Sequence, residues 1–166
     1  MQILAGIYKA EEGELYFNGI PMGNYRESPL HDSIGLNLPV NQVFEGTFKE
    51  NILMGRNCDE SRLTYVLELL NLNEYLIHQP QGIDSMIDSG GRRLPRSIIQ
   101  KIQIARLIIH EPKLLLLEDP LQFIEASEKE KIINYLMHKD RNWTLIVISD
   151  FGYWKTKCDR VIRLGD

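Results

Sequence analysis

The chain has 166 residues, of which 43% are hydrophobic, so it is long and apolar enough for one domain with its own core. Its formal net charge of −4 argues against a general nucleic-acid binder, because such proteins are usually basic. No apolar run reaches the roughly 18 residues that a membrane-spanning helix needs. Cys58 and Cys158 lie far apart without metal-ligand spacing, which favours two free thiols.

The N-terminal third predicts a helix-like segment followed by two strands. Residues 1–8 are apolar and helix-like, and Gly6 can end that segment. Residues 15–17 are predicted to form a short strand that ends at Asn18-Gly19, a dipeptide that favours a tight hairpin turn. The next strand is expected at 34–38.

The middle of the chain predicts two helices. Asp59 is a candidate N-cap for a helix that runs to Leu70. A shorter helix is expected at 74–78. The side chains that the first helix places on one side are Leu63, Val66, Leu67 and Leu70.

The stretch from 89 to 119 organises the rest of the chain. A glycine pair leads into a helix whose core face repeats at steps of four, three and four residues: Ile98, Ile102, Ala105 and Ile109. Four consecutive leucines at 114–117 then predict a strand that is covered on both sides, as in a parallel sheet. Glu118 and Asp119 therefore fall at the carboxyl end of a central strand, where open α/β sheets bind ligands.

The C-terminal third predicts one more helix and two strands. The helix covers 126–138, with a solvated charged run at 128–131. A buried strand at 143–149 ends at Asp150, and 158–164 is expected to be the last strand of the core. The inward side chains of the helix are Ile132, Ile133, Leu136 and Met137.

Several of these stretches resemble the ATP-binding cassette ATPases, the motor domains of ABC transporters. Residues 94–106 resemble the signature helix, and 112–120 resemble the Walker B strand. Residues 44–52, Phe-Glu-Gly-Thr-Phe-Lys-Glu-Asn-Ile, resemble the exporter-type pattern F-x-G-T-I-x-E-N-I. Residues 79–84 are similar to the family's link before the signature.

The resemblance implies an α/β fold of the P-loop NTPase type, a mostly parallel sheet flanked by helices with a small helical subdomain. It places the helical subdomain at about 53–98 and the α/β core at 1–52 and 99–166. In the family, the phosphate-binding loop G-x-x-x-x-G-K-[ST] lies just before the helix that resembles residues 1–8. We therefore expect a partial cassette whose N-terminal part is missing; the alternative is that Met1 is a true start.

The resemblance also assigns positions in the nucleotide site, and these carry unexpected residues. Pro39 stands at the position of the glutamine that reaches magnesium, or Val40 if the register slips by one, and Gln42 would need a loop shift. The signature L-S-G-G-Q reads Leu94-Pro95-Arg96-Ser97-Ile98 in this sequence. Pro95 suits the first helical position but has no amide hydrogen to offer a phosphate.

The Walker B position has its two carboxylates in reverse order. Glu118 falls at the magnesium position and Asp119 at that of the general base. Asp150 replaces the histidine that contacts the γ-phosphate, and a carboxylate there repels a phosphate.

Two neighbouring features have alternative interpretations. Arg92, Arg93 and Arg96 either hold an anion by charge or form an exposed basic edge. Phe123 and Ile124 pack either at a dimer interface or in the core.

For the family, the resemblance implies ATP and Mg²⁺ as cofactors, a transmembrane domain and a second cassette as partners, and a place at the cytoplasmic face of the membrane. The exchanged residues favour a degenerate cassette of an exporter-type transporter that couples to transmembrane segments with little or no ATP hydrolysis. One alternative is an active ATPase when an upstream phosphate loop is present. The other is a non-enzymatic docking or regulatory module.

Overall fold

The computed structural model describes residues 1–25, 33–40 and 43–163. Its strands are β1 Tyr16–Phe17, β2 Ile20–Pro21, β3 Ile34–Asn37, β4 Gly46–Thr47, β5 Met86–Ile87, β6 Leu114–Glu118 and β7 Thr144–Ile148. Its α-helices are α1 Phe48–Leu53, α2 Glu60–Leu69, α3 Leu72–Leu76, α4 Arg96–Ile109 and α5 Ala126–Leu136. No helix in these ranges has both the length and the apolar composition to cross a bilayer.

The central feature is a parallel sheet with strand order β3-β6-β7. Leu36 pairs with Leu116, and Leu116 pairs with Ile146 on the other side. Because all three strands run in the same direction, their carboxyl ends meet at one edge of the sheet. The predicted α/β fold with a parallel sheet flanked by helices is confirmed.

The leucine run of β6 is covered on both faces, as its lack of alternation predicts. Leu115 and Leu117 belong to the main core, which includes the apolar face of α4. Leu114 and Leu116 point the other way and pack with Ala5 in a smaller cluster formed with the N-terminal segment. A strand with no polar face is stable only in such a position.

Strand β7 is the exception, because the prediction that it is buried is wrong. Leu145 and Val147 pack against the main core, but Ile146 and Ile148 on the opposite face are 38% and 45% exposed. The N-terminal segment covers the opposite face at β6 and leaves this edge strand partly open. The strand is thus half-buried, with alternating burial along its length.

The two ends of the described chain also differ from expectation. Residues 1–8 form turns rather than a regular helix, although Gly6 has the left-handed backbone (φ +75°) that ends a helical segment. Residues 158–163 form no strand, and Val161 and Ile162 are exposed; Leu164 lies outside the described residues. The predicted hairpin is present, with Asn18 and Gly19 both at positive φ between β1 and β2.

The helices of the middle segment follow the prediction closely. Asp59 is the N-cap residue of α2, but its side chain makes no capping hydrogen bond. The short helix α3 begins two residues before the predicted start, because Asn71 adopts a left-handed backbone (φ 51°) that turns the chain immediately after α2.

Candidate functional site

The carboxyl edge of the sheet brings together residues that lie far apart in the sequence. Asn37, at the end of β3, is buried, and its Nδ2 donates to the Glu118 carbonyl at 3.4 Å. The Asp119 amide donates to the Ile148 carbonyl at 2.9 Å, so β6 and β7 remain paired up to their last residues. The backbone of Glu118 and Asp119, the predicted carboxylates at this edge, is therefore held by hydrogen bonds from β3 and to β7.

A pocket of about 270 Å³ opens at this edge and contains two of the predicted site residues. It is lined by Asp119, Leu121, Gln122, Lys129, Ser149, Asp150 and Phe151. Asp119 follows β6 and Asp150 follows the neighbouring β7, so the parallel arrangement places both carboxylates on one cavity. Glu118 immediately precedes Asp119 in the chain, but it is not among the residues that line the pocket.

Lys129 supplies a positive charge to this pocket that the sequence pattern did not predict. Its ammonium lies 5.1 Å from the centre of the ring of Phe151, which also lines the pocket. The prediction that 128–131 is a solvated run is wrong for its first two residues. Glu128 is partly buried because its Oε1 accepts from Lys101 Nζ at 2.8 Å and from Asn71 Nδ2 at 3.1 Å.

The loop after β6 is held by a buried glutamine of α4. Asp119 has a left-handed backbone (φ 41°), a conformation that Asp tolerates better than most residues. Gln100 Nε2 donates to the Asp119 carbonyl at 3.4 Å, and its Oε1 accepts from the Phe123 amide at 2.7 Å. One side chain thus holds both ends of the segment 119–123, whose Leu121 and Gln122 also line the pocket.

A second glutamine of α4 holds the loop after β3. Gln103 Nε2 donates to the Val40 carbonyl at 2.6 Å. Pro39 and Val40 are both exposed, and neither lines the pocket within the described part of the chain. Gln42 lies outside the described residues.

The signature position forms the start of α4. Pro95 is the N-cap residue rather than the first helical residue, so the predicted placement is wrong by one position. Its carbonyl accepts from the Ile98 and Ile99 amides at 3.0 and 3.2 Å, which begins the helix. Leu94 and Ser97 are half-buried.

The basic residues around this helix start lie on the surface. Arg92, Arg93 and Arg96 are exposed. The Arg96 guanidinium carbon lies 4.9 Å from the centre of the Phe123 ring. Phe123 is 40% exposed whereas Ile124 is buried. Of the two residues for which a dimer interface and the core were alternatives, Ile124 therefore lies in the core and Phe123 lies at the surface.

Residues 44–52 form a separate, tightly bonded unit. Asn51 is completely buried and donates through Nδ2 to the carbonyls of Phe44 (2.9 Å) and Thr47 (3.0 Å), while its Oδ1 accepts from the Phe44 amide at 3.0 Å. Thr47 and Glu50 form a capping box at the start of α1. As a result, Phe44 and Glu45 are exposed on a fixed backbone.

Arg106 of α4 contacts both Asn51 and Phe44 of this unit. Its Nη2 donates to Asn51 Oδ1 at 2.8 Å, its Nε donates to the Asn51 carbonyl, and its guanidinium carbon lies 5.7 Å from the Phe44 ring centre. Burial lowers the pKa of Arg106 to about 10, which leaves it charged at neutral pH.

A larger pocket of about 440 Å³ lies away from this edge. It is lined by Asn57, Cys58, Asp59, Arg62, Ile109, His110 and Glu111, which places it at the amino end of β6. Burial raises the pKa of the Cys58 thiol, so the thiol stays protonated at neutral pH. Ligands of open α/β sheets bind at the opposite, carboxyl edge, so the smaller pocket is the candidate site.

Comparison with known proteins identifies the family. The family model described as "ABC transporter" matches residues 1–122, more than half of the chain. The chain belongs to the ABC transporter family. Similar ABC proteins include a putative multidrug export ATP-binding/permease protein of Staphylococcus aureus, 28% identical over 89% of this chain and 26% of that protein. Another is the glutathione/L-cysteine transport system ATP-binding/permease protein CydC of Escherichia coli, 24% identical over 90% of this chain and 26% of that protein.

The structural comparison agrees on the fold. The chain superimposes on a bacterial Atm1-family ABC exporter with ATP bound with a TM-score of 0.81, at 20% identity over 89% of this chain and 26% of that one. The ABC domain described here thus spans about a quarter of the length of the relatives it matches. At this edge, Asp119 and Asp150 share the pocket, whereas the described positions Pro39 and Leu94–Ser97 do not line it.

Proposed function

We propose that this chain is a degenerate ATP-binding cassette domain of an exporter-type transporter, which couples to transmembrane segments and hydrolyses little or no ATP itself. Such a domain works at the cytoplasmic face of the membrane. Its proposed partners are a transmembrane domain and a second cassette. The names of its relatives, which combine ATP-binding and permease functions in one chain, support the transmembrane partner.

The observation that carries the proposal is the presence of Asp119 and Asp150 in one pocket with Lys129 as the cation among its lining residues. Two carboxylates and one ammonium give the pocket a net negative charge at neutral pH. A polyphosphate entering it meets like charge at short range, which costs about 1 kcal/mol per pair at 4 Å even with the screening of water. Catalysis of phosphoryl transfer requires the opposite arrangement, with positive groups where charge develops.

The residues at this edge fit a magnesium nucleotide poorly. Proline has no side-chain donor or acceptor, so Pro39 cannot ligate a metal or orient water. The Val40 carbonyl is already bonded to Gln103, and the Asp119 carbonyl to Gln100. No group of three or more His, Cys, Asp or Glu side chains in the described ranges has metal-binding geometry.

The order of the Walker B carboxylates also favours low turnover. With Glu118 and Asp119 exchanged relative to the family pattern, one arm is longer by a methylene and the other is shorter. A misplacement of about 1 Å can reduce the rate roughly a hundredfold. This loss of rate comes from geometry and is separate from the electrostatic repulsion in the pocket. The two effects therefore lower turnover together.

The unit 44–52 supports the coupling role. Phe44 and Glu45 are exposed, yet their backbone is fixed by the buried Asn51 and by Arg106. An exposed aromatic on a rigid backbone suits a protein interface, since little entropy is lost when it is covered. The transmembrane partner is its proposed occupant.

Crosslinking tests the coupling role in the full-length transporter. In a background with Cys58→Ser and Cys158→Ser, Glu45→Cys is expected to capture a transmembrane segment, and the exposed control Glu11→Cys is not. Failure of Glu45→Cys to capture such a segment would favour the docking or regulatory module instead.

A thermal-shift titration with Mg-ATP tests the nucleotide side on the same protein. We expect a shift in the melting temperature no larger than that with an equal concentration of magnesium sulfate. A shift that saturates with Mg-ATP and is accompanied by hydrolysis would favour the active ATPase.

A further inference from the structure

The pocket at the carboxyl edge contains three charged side chains that do not pair with one another. Asp119 and Lys129 are half-buried, and Asp150 is exposed. No ion pair between described residues includes any of the three, so the Lys129 ammonium lies beyond ion-pair distance of both carboxylates. Charges that share a cavity without pairing leave their hydrogen-bonding capacity to water or to a ligand.

The three charges come from different elements of the fold. The Asp119 amide donates to the Ile148 carbonyl at 2.9 Å, so the ends of β6 and β7, which carry the two carboxylates, lie side by side. Lys129 belongs to helix α5, and its ammonium lies 5.1 Å from the centre of the Phe151 ring. Two carboxylates on the strand ends and one ammonium from a helix therefore line one cavity.

We infer that this pocket binds a free basic amino acid of the class of lysine, ornithine and arginine. Such a molecule carries two cationic groups and one carboxylate at neutral pH, which is the reverse of the charge set of the pocket. Its carboxylate binds Lys129, and its two cationic groups bind Asp119 and Asp150. The inference rests on the proposed function, because it requires a pocket that nucleotide does not fill.

The size and the apolar part of the pocket fit the same class of ligand. Its volume of about 270 Å³ lies below the range of about 300–1,000 Å³ that is typical of sites for drug-sized molecules, so it suits a smaller ligand. Leu121 and Phe151 supply apolar surface for the methylenes of a basic amino acid.

Other small ligands leave at least one of these charges without a partner. A diamine has no carboxylate for Lys129 and brings a like charge close to it. An inorganic anion pairs with Lys129 but meets two carboxylates. An amino acid with an apolar side chain has one cationic group and therefore leaves one carboxylate unpaired. A basic amino acid pairs with all three groups.

Isothermal titration of the full-length transporter subunit with L-lysine and three analogues tests the inference. Each analogue lacks one charge of lysine: cadaverine lacks the carboxylate, 6-aminohexanoate the α-ammonium and L-norleucine the ε-ammonium. We expect saturable binding of L-lysine and at least about fivefold weaker binding of each analogue, because each loses one pairing at short range. An analogue that binds as tightly as L-lysine would overturn the inference, and so would the absence of saturable lysine binding.

Variants of the charged residues place the ligand in this pocket. Lys129→Gln should weaken L-lysine binding at least about fivefold but strengthen cadaverine binding, because the ammonium attracts the carboxylate of lysine and repels the diamine. The gain for cadaverine also shows that this variant is folded. Asp150→Asn should weaken the binding of both ligands.

The matched controls are exposed residues of the same charge on α5. Lys131→Gln and Glu130→Gln should leave the affinity for L-lysine within about twofold of that of the unmodified protein. Equal effects of Lys129→Gln and Lys131→Gln, or no effect of Asp150→Asn, would place lysine binding outside the pocket and overturn the inference.

The test is separable from that of the proposed function. Hydrolysis of Mg-ATP that requires Asp119 would contradict the degenerate cassette. Absence of L-lysine binding together with absence of hydrolysis would overturn this inference alone and leave the proposed function intact.

Discussion

The unit around Asn51 and the pocket around Asp119 are both held by a buried amide, yet they differ in what they present to solvent. Asn51 and Arg106 fix a backbone that exposes Phe44 and Glu45, and the polar atoms of the Asn51 amide are bonded. Gln100 also holds the loop of Asp119, through one hydrogen bond of 2.7 Å and one of 3.4 Å, but that loop leads to a pocket with an excess of negative charge. The scaffold of the pocket is therefore independent of the chemistry that its side chains support.

Helix α4 explains this independence. Gln100 and Gln103 hold the loops after β6 and β3, and Arg106 holds the unit 44–52, all from one helix. The side chains of these two loops can change without altering these bonds, because Asp119 and Val40 accept them through their backbone carbonyls. Substitutions in the two regions should thus affect different properties.

The largest effect on stability is expected from Asn51→Ala. The substitution leaves the Phe44 amide and carbonyl and the Arg106 guanidinium with fewer partners inside the protein. We expect the free energy of unfolding to fall by about 3 kcal/mol, as for several buried polar groups left unsatisfied. Urea denaturation measures it. The exposed Asn57→Ala is the control, and a loss below about 1 kcal/mol for Asn51→Ala would show that the unit is not fixed by this amide.

Gln100→Leu should have a smaller effect that is local to the pocket. It removes the acceptor of the Phe123 amide and the donor to the Asp119 carbonyl, which costs about 1–3 kcal/mol. Hydrogen exchange at the Phe123 amide should accelerate in this variant. Gln103→Leu, a change of the same kind one turn away, should leave that amide protected; equal acceleration in both would indicate general loosening of α4.

Much of the scaffold was predictable from local pattern, because local chemistry determines it. Four leucines at 114–117 predicted a strand covered on both faces, and Asn18-Gly19 predicted a hairpin turn. The adjacency of Asp119 and Asp150 followed from two strands that end at one edge of a parallel sheet.

What the sequence did not reveal depends on partners distant along the chain. Gln103 binds a carbonyl 63 residues away, and Lys101 pairs with Glu128 across 27 residues. A charged run on an amphipathic helix looks solvated unless its partner on another helix is known. The exposure of Ile146 and Ile148 was missed for the same reason, since an apolar strand gives no indication of how far its neighbours extend.

Thr47→Ala tests the unit 44–52 at its surface. The Thr47 side chain accepts from the Glu50 amide at 3.0 Å, and its loss should cost about 1 kcal/mol in thermal or urea unfolding. Ser at the same position retains the hydroxyl and should restore most of the stability. An unchanged midpoint for Thr47→Ala would contradict a role for the capping box.

The same capping box predicts a pH dependence. Hydrogen bonds from the backbone and side chain of Thr47 lower the pKa of Glu50 below its ordinary value of 4.5. Its contribution to stability is thus present above 4.5 and is lost as the pH falls through the lower pKa of the folded state. Glu50→Gln should remove this part of the acid dependence, which a comparison of unfolding curves at about pH 3 and about pH 6 would detect.

The smallest effect is expected from Asp150→Asn in the pocket. Removing one carboxylate should raise the affinity for inorganic phosphate roughly fivefold, which corresponds to a like-charge repulsion of about 1 kcal/mol. Isothermal titration compares it with Glu130→Gln, an exposed change of the same charge on α5. Equal affinities in the two variants would show that Asp150 does not repel anions in the pocket.

The degenerate character of the cassette is tested most directly by ATP hydrolysis in the full-length transporter subunit, with Asp119 intact and with Asp119→Ala. We expect any turnover assignable to this cassette to be at background level and unchanged by the substitution. Turnover that disappears in Asp119→Ala would contradict a degenerate cassette, because Asp119 would then act as a working general base.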